Sequence, residues 1–587
     1  MKQVGWRRIG QPLFWLLLYL LAFIYCQHYF VYDYFYAEQF DFFRFSGEYA
    51  CNCISDWGGL ASYLAAFLMQ FFTVPCVGPA IAALLFVGIS WELRGIWKKM
   101  SPTVEAPLLY LLPSLLLLWM GTDFNYHWSG TIGLWISLCV LRFCLYIPSF
   151  HWQVLLTGLC FLPAYYAVGP WMLTVLAGIL LNGLFTRRWH VMWLVPWGVL
   201  VAVCFYQIGV VPEARFLFSP DAYYNPKLFS PVAGWYAAAS CLLNLALSAV
   251  CGNVRRGLRG RWSLVSWTVQ LALLALICWK GTAYFYSVKN QSAKQLDYYV
   301  RTKQWQEILE IPELRADANY LHACYQNLAL AALDRLGDDL LDYGQCGSRG
   351  LVLAWDRTFT SSMLLSDVYY QMGNIALAQE KAFESMIASE YEMTPRLLLR
   401  LIQTNLIFGY DKVAEKYIRL LEQTWAYASE ATYYRQFLGH PERLEADAEL
   451  GHRKRCVTTT SGLSNDFQIM NNLWQIMHSN PAWRPAFLYY GAICLLNKDV
   501  DNLRCFLEAY KAAKGLQPMP VHFQEAAIIL HEKEEDVWAD YGVSPEVANR
   551  FKAYRQTVYE MRKGRIPFAQ LQGRYGNTYW FYFMFKR

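Results

Sequence analysis

The compact signatures of nucleotide-driven and hydrolytic chemistry are missing from this sequence. It has no G-x-x-x-x-G-K-[ST], so no loop is built to cradle ATP phosphates, and ATP-driven transport is excluded on that ground. It has no H-E-x-x-H, no H-x-x-x-H and no G-x-S-x-G, which disfavours a zincin and a nucleophile-elbow hydrolase. Of the sixteen cysteines, the C-x-C at Cys51 and Cys53 is too short for the usual zinc pair, and no second pair stands near it. Charge is scarce as well, at 16% against 56% hydrophobic residues. The scarcity is uneven. Residues 1–283 hold 10 Asp and Glu against 17 Lys and Arg, whereas residues 284–587 hold 35 against 34. The first half has a membrane composition and the second an ordinary soluble one.

Long apolar runs fill the first half. Spanning hydrocarbon takes ~20 apolar residues as helix, because backbone groups find no partners there but their own. Nine spans are predicted, at 12–32, 73–93, 106–122, 128–147, 152–168, 170–186, 191–212, 232–251 and 262–282. With the N-terminus inside, thirteen Lys and Arg fall on cytoplasmic segments, among them Arg7, Arg8, Lys98, Lys99, Arg187, Arg188 and Arg255. Only three, Arg44, Arg215 and Lys227, fall on outer loops. That asymmetry sets the orientation. It also explains the basic excess without nucleic acid, which is not expected as a partner. The long run Gly58–Trp91 is read as a helix over 58–72 lying at or dipping into the outer interface, broken at Pro75, Gly78 and Pro79 before the true span. Two full spans there would put "RGIWKK" and "RRGLRGR" outside. The first run is not a cleaved leader, since it is long, lacks a small-x-small site and is followed by more spans.

The outer loops then carry what chemistry there is. "YDYFYAEQFDFFRFSGEYACNCISDWGGL" (32–60) sets Asp33, Glu38, Asp41, Glu48 and Asp56 among aromatic rings. The rings suit a headgroup-level belt, and solvation of the loop is the plain reading of the acids. "GTDFNYHWSGT" places Asp123 and His127 four residues apart. "VVPEARFLFSPDAYYNPKLFSP" (210–231) adds Glu213, Arg215, Asp221 and Lys227. If these loops converge, a carboxylate could bind a divalent metal or take a proton from a hydroxyl, and Arg215 and Lys227 could neutralise a lipid phosphate. Polar residues within the spans are few, Asn182, Gln207, Asn244 and Gln270 among them, and trace no charge pathway, which argues against a proton-coupled transporter. Cys51 or Cys53 could enter one disulfide in an oxidising compartment.

The second half reads as helix after helix. "LLSDVYYQMGNIALAQEKAFESMI" and "LIQTNLIFGYDKVAEKYIRLLEQ" repeat a near-tetratricopeptide spacing, with Gly373 and Gly409 at the turns and Ala378 and Ala414 where paired helices approach. "FLYYGAICLLNKDVDNLRCFLEAYKAA" is a degenerate third unit with Lys at the turn. An irregular helical solenoid is expected, offering a concave face to a partner. Nothing in this half has a catalytic pattern. The aromatic tail "TYWFYFMFKR" is expected to pack on the domain rather than touch the bilayer.

Two resemblances bear on function. "GGLASYLAAFLMQFF" with the following Pro75 and Gly78, "DFNYHWSGTIGL" (123–134) and "YGNTYWFYF" (575–583) together resemble an uncharacterised bacterial family of large envelope membrane proteins, which implies no activity. The layout is also similar to that of C-type-fold glycosyltransferases that use lipid-linked sugars: an acidic first outer loop, a surface helix, more spans, then an outer helical domain. That resemblance implies Glu38 or Asp41 as base or metal ligand, Asp123 with His127 assisting, and Arg215 with Lys227 on a polyprenyl phosphate. The first outer loop lacks the adjacent acidic pair of that family. The overall expectation is an all-α, polytopic inner-membrane protein. A transmembrane domain at 1–283 is followed by an extracytoplasmic tetratricopeptide-like solenoid at 284–587. It would act either as a lipid-linked group transferase or as a non-enzymatic scaffold for envelope proteins.

Overall fold

The computed structural model describes residues 2–40, 42–252, 261–311, 319–389, 393–458, 468–513 and 516–586. Among them there is no strand, only two isolated bridges; the regular elements are helices. The chain divides into two units, residues 1–294 with 423–426, and residues 295–422 with 427–587.

The first unit is a bundle of apolar helices. It comprises α1 (Lys2–Tyr29), α2 (Val31–Glu38), α3 (Gly47–Ser55), α4 (Gly59–Met69), α5 (Val77–Met100), α6 (Leu112–Met120) and α7 (Ser129–Tyr146). These are followed by α8 (Phe150–Val168), α9 (Leu173–Phe185), α10 (Leu194–Gln207), α11 (Val232–Cys251) and α12 (Arg261–Phe285). The start of α13 (Val288–Arg301) closes the unit. A helix stands at each of the nine predicted spans. Six of these are long and apolar enough to cross a membrane: Gly10–Tyr29, Val77–Met100, Ser129–Tyr146, Trp189–Gln207, Val232–Cys251 and Val265–Phe285. The segments at 108–120 and 170–185 are shorter apolar helices. The chain is therefore a membrane-spanning protein.

The surface of α1 says the same in energetic terms. Leu13, Leu16, Leu17, Leu20, Leu21 and Ile24 are exposed, while Trp15, Ala22 and Cys26 on the opposite face are buried. Left in water, such a leucine row would cost ~1.5–3 kcal/mol per side chain, and only lipid covers it without a partner. Helix α5 forms the centre, packing on α1, α7 and α11. The polar residues of the spans are absorbed locally: Gln270 Oε1 accepts from Leu108 N at 2.7 Å, and Asn244 Nδ2 donates to the Leu109 carbonyl at 3.1 Å. Helix α4 buries Gly59, Ala61, Ala65, Ala66 and Met69 and packs on α7 and α8, as its all-round apolar composition demands. Cys51 and Cys53 both lie on α3, Cys51 exposed and Cys53 half-buried.

The second unit is built from helices joined by tight turns. Helix Phe359–Met372 ends at Gly373 (φ 90°) and is followed by Ile375–Ala388; Pro395–Phe408 ends at Gly409 (φ 78°) and is followed by Asp411–Leu421. Both turns need the left-handed backbone that glycine adopts without a Cβ penalty. Ala378 and Ala414 are fully buried where the paired helices meet. The third turn, where glycine is replaced by Lys498, keeps the same geometry (φ 55°). Its ammonium donates to the Phe583 carbonyl at 2.9 Å and to that of Lys586, which offsets the left-handed strain of a non-glycine residue. The aromatic tail is a helix, Tyr579–Phe585, capped by Thr578. It packs inward: Trp580 is buried and donates to the Glu525 carbonyl, and Tyr582 donates to the Leu496 carbonyl.

Candidate functional site

Two clusters carry polar chemistry, one in each unit. The first lies where the loops after α1, α6 and α10 meet. Asp33, in the first turn of α2, forms an ion pair with Lys294 of α13, and both side chains are 1% exposed. Gln291 Nε2 donates to the second carboxylate oxygen at 2.6 Å, and Lys294 also donates to the Thr122 carbonyl at 2.6 Å. The ammonium lies 4.1 Å from the centroid of the Phe124 ring. Burial pushes the Asp33 carboxyl above the usual range against the pull of Lys294 and Gln291. This enclosed pair ties α2, the loop at 121–128 and α13 together.

Asp123 sits beside it. Its Oδ1 accepts from the Tyr224 hydroxyl at 2.5 Å and from Asn125 N at 3.0 Å. Tyr126 and Tyr224 pair in an antiparallel bridge, Asn225 N donates to the Asn125 carbonyl, and His127 N donates to the Tyr223 carbonyl. The loops at 121–128 and 210–231 are thus zipped backbone to backbone. Burial depresses the His127 imidazole to about 4, so at neutral pH it is uncharged and can accept but not deliver a proton. Glu38, the last residue of α2, is 1% exposed. Arg215 pairs with Glu213 at 2.7 Å and donates to the Pro226 carbonyl, while Lys227 is exposed. Asp41 lies outside the described residues. Among the described residues no three His, Cys, Asp or Glu side chains are placed to hold a metal.

The second cluster is a groove of about 750 Å³ in the helical unit, walled by α13, α14 (Trp305–Glu310) and helices Tyr320–Ala332, Phe359–Met372, Pro395–Phe408 and Ala428–Arg435. Its frame is ionic. Asp367 takes Arg396 Nη2 at 2.5 Å on one oxygen and Arg400 Nη2 at 2.7 Å on the other; Arg396 also pairs with Asp297. Burial works against the Asp367 carboxylate, but the two arginines outweigh it and hold its pKa below the ordinary value. The Tyr370 ring is clasped between two guanidiniums, Arg400 at 3.7 Å and Arg453 at 4.1 Å from its centroid. Arg453 is fixed in turn by the carbonyls of Tyr370 and Glu449, both at 3.1 Å. Gln403 Nε2 donates to the Tyr434 hydroxyl at 2.7 Å, and Lys303 pairs with Glu449 at 2.8 Å across the mouth.

Little in the amino-acid pattern warns of this groove. Arg396 and Arg400 stand one helical turn apart within an apolar period, "PRLLLRLIQTNL", and Asp367 lies on a different helix. The only legible sign was two arginines interrupting a face that otherwise belongs to the core.

A model of a family of unknown function (DUF6057) matches residues 6–586. No curated protein and no solved structure matches the chain.

Proposed function

The chain belongs to the DUF6057 family of unknown function, and we propose that it is a membrane-anchored binding protein. On this reading the spans sit in an inner membrane, and the second unit is an irregular tetratricopeptide-like solenoid facing outward. The thirteen-to-three distribution of positive charge supports that orientation. The groove between residues 300 and 453 carries the reading. Its volume lies in the range of small-ligand sites, ~300–1,000 Å³, and its floor is preset by the Asp297–Arg396–Asp367–Arg400 chain of ion pairs. A site so held binds without rearranging, which suits capture or presentation of a ligand to envelope partners. In the cell, photo-crosslinking tests this. Glu430→p-benzoylphenylalanine, on the groove wall, is expected to yield a discrete adduct absent at the exposed outer position Gln556. Equal or no adducts at both positions would overturn the proposal.

A lipid-linked transfer at the outer membrane face is the second reading. The convergence of α2 with the loops at 121–128 and 210–231 favours it, since acid and base from separate loops then share one end of the bundle. Glu38 or Asp41 would act as base or hold a divalent metal, Asp123 and His127 would assist, and Arg215 and Lys227 would meet a lipid phosphate. Against it stand the enclosed ion pair of Asp33, the hydrogen bonds that Asp123 Oδ1 already accepts and the neutrality of His127. Glu38→Gln with Asp41→Asn is the direct test: altered envelope glycans would support transfer, and unchanged glycans would rule out that role for these acids.

A further inference from the structure

We infer that the groove takes an acidic carbohydrate, a short saccharide bearing a carboxylate; this rests on the groove being the binding site. Charge gives the first argument. Five cationic side chains line the groove against three anionic ones, and with Asp297 behind Arg396 counted the balance still favours an anion by one. Arg453 contributes to that excess: its donors go to two carbonyls and to Gln371 Oε1 at 3.3 Å, and among the described residues none of them goes to a carboxylate.

Unmatched donors give the second. Tyr370 is 4% exposed and lines the groove, and its hydroxyl meets no hydrogen-bond partner among the described residues; Arg400 Nε is likewise enclosed and unmatched among them. Burial raises the Tyr370 pKa, so the hydroxyl keeps its proton and remains a donor. Enclosed donors without acceptors are unfavourable, and a ligand oxygen reaching the floor would satisfy them. The Arg400 guanidinium lies 3.7 Å from the centroid of the Tyr370 ring, and two donors on such neighbouring side chains, one of them cationic, suit a carboxylate.

The walls give the third. They are helix faces offering side chains, with no free backbone edge along which an extended peptide could pair. What they offer instead are aromatic side chains, Trp305 and Tyr427, together with lining groups of both hydrogen-bonding senses, Arg301 and Glu430. Hydroxyl groups both donate and accept, and sugar rings present C–H faces to aromatic planes, so this mixture suits a saccharide better than a peptide.

Isothermal titration of the full chain in detergent micelles tests the inference with four probes: digalacturonate, maltose, an Asp-Asp-Glu tripeptide and inorganic phosphate. Digalacturonate is expected to bind one to one and at least tenfold more tightly than the other three. Lys303→Glu, at a side chain 66% exposed, should weaken it about tenfold without altering the melting temperature. Trp305→Ala should weaken digalacturonate while leaving any phosphate binding unchanged. Maltose binding as tightly would show that charge is not read. A preferred tripeptide would make this a peptide site, and phosphate binding as tightly would make it a simple anion site. No binding of any probe to folded protein would equally overturn the inference. The photo-adduct at position 430 reads the binding role separately, because it forms with whatever occupies the groove.

Discussion

Removing the Asp367 carboxylate should loosen the helical unit more than any other single change at the groove. The carboxylate holds two guanidiniums, and the three side chains are 10–13% exposed. Truncating one partner of a buried pair typically costs ~3–5 kcal/mol, because the charge left behind stays desolvated. Arg396 retains Asp297, and Arg400 retains Gln403 at 3.0 Å and the Tyr370 face, so the lower part of that range applies, about 3–4 kcal/mol for Asp367→Ala. At roughly 2–4 °C per kcal/mol for a unit of this size, the expected fall in melting temperature is ~6–16 °C. Scanning fluorimetry of the full chain in detergent would read it, with hydrogen exchange across Pro395–Phe408 assigning the loss to the second unit. The pH dependence carries a sign. A carboxylate whose folded pKa is depressed contributes stability that is present above the unfolded value near 4 and lost as pH falls through the folded one. The gap between wild type and Asp367→Asn should therefore be full at neutral pH and close below about pH 4. A melting temperature for Asp367→Ala within 2 °C of wild type would refute the reasoning, as would a gap that widens with acid.

Other consequences follow from the same geometry. Asp33→Asn alone should destabilise the first unit by ~3–5 kcal/mol by stranding Lys294, whereas Asp33→Leu with Lys294→Met should recover most of the loss; melting curves of single and double variants compare them. His127 is neutral when folded, with its pKa lowered to about 4, and takes a proton near 6.5 when unfolded. Wild-type stability should therefore decline as pH drops from about 6.5 to 4, and His127→Phe should flatten that decline in a pH series of thermal melts. Trp580→Ala should cost ~3–5 kcal/mol and expose the C-terminal helix to limited proteolysis, because the indole is buried and donates at 3.0 Å to Glu525.

Helices and their ends were legible in the sequence wherever one local rule decides. Apolar length marks α1, α5, α7, α11 and α12, and Gly373 and Gly409 mark turns because glycine enters the left-handed region without a Cβ penalty. The short helix Gly59–Met69 was legible from its apolar run and the Pro75, Gly78 and Pro79 that follow it. Partnerships over long separations were not legible. Lys294 lies beyond the last span, in what composition assigns to the soluble half, yet its ammonium closes on Asp33, 261 residues earlier. The two units consequently divide inside α13 rather than before it. The groove failed to show for the same reason. Asp367, Arg396 and Arg453 come from separate helices, and each alone is an ordinary charged residue on a helical face. Lys498 marks the opposite case, a turn whose glycine signal is absent because two carbonyls of the C-terminal segment stabilise a lysine in its place.

The central claim is that a ligand-binding groove faces the outside of the membrane on which the chain is anchored. Thiol labelling of intact cells with a membrane-impermeant maleimide, read peptide by peptide by mass spectrometry, tests it most directly. Glu430→Cys, on the groove wall, should label in intact cells, and Lys98→Cys, at the end of α5, only after permeabilisation. Labelling of position 98 from outside with position 430 protected until lysis would contradict the account.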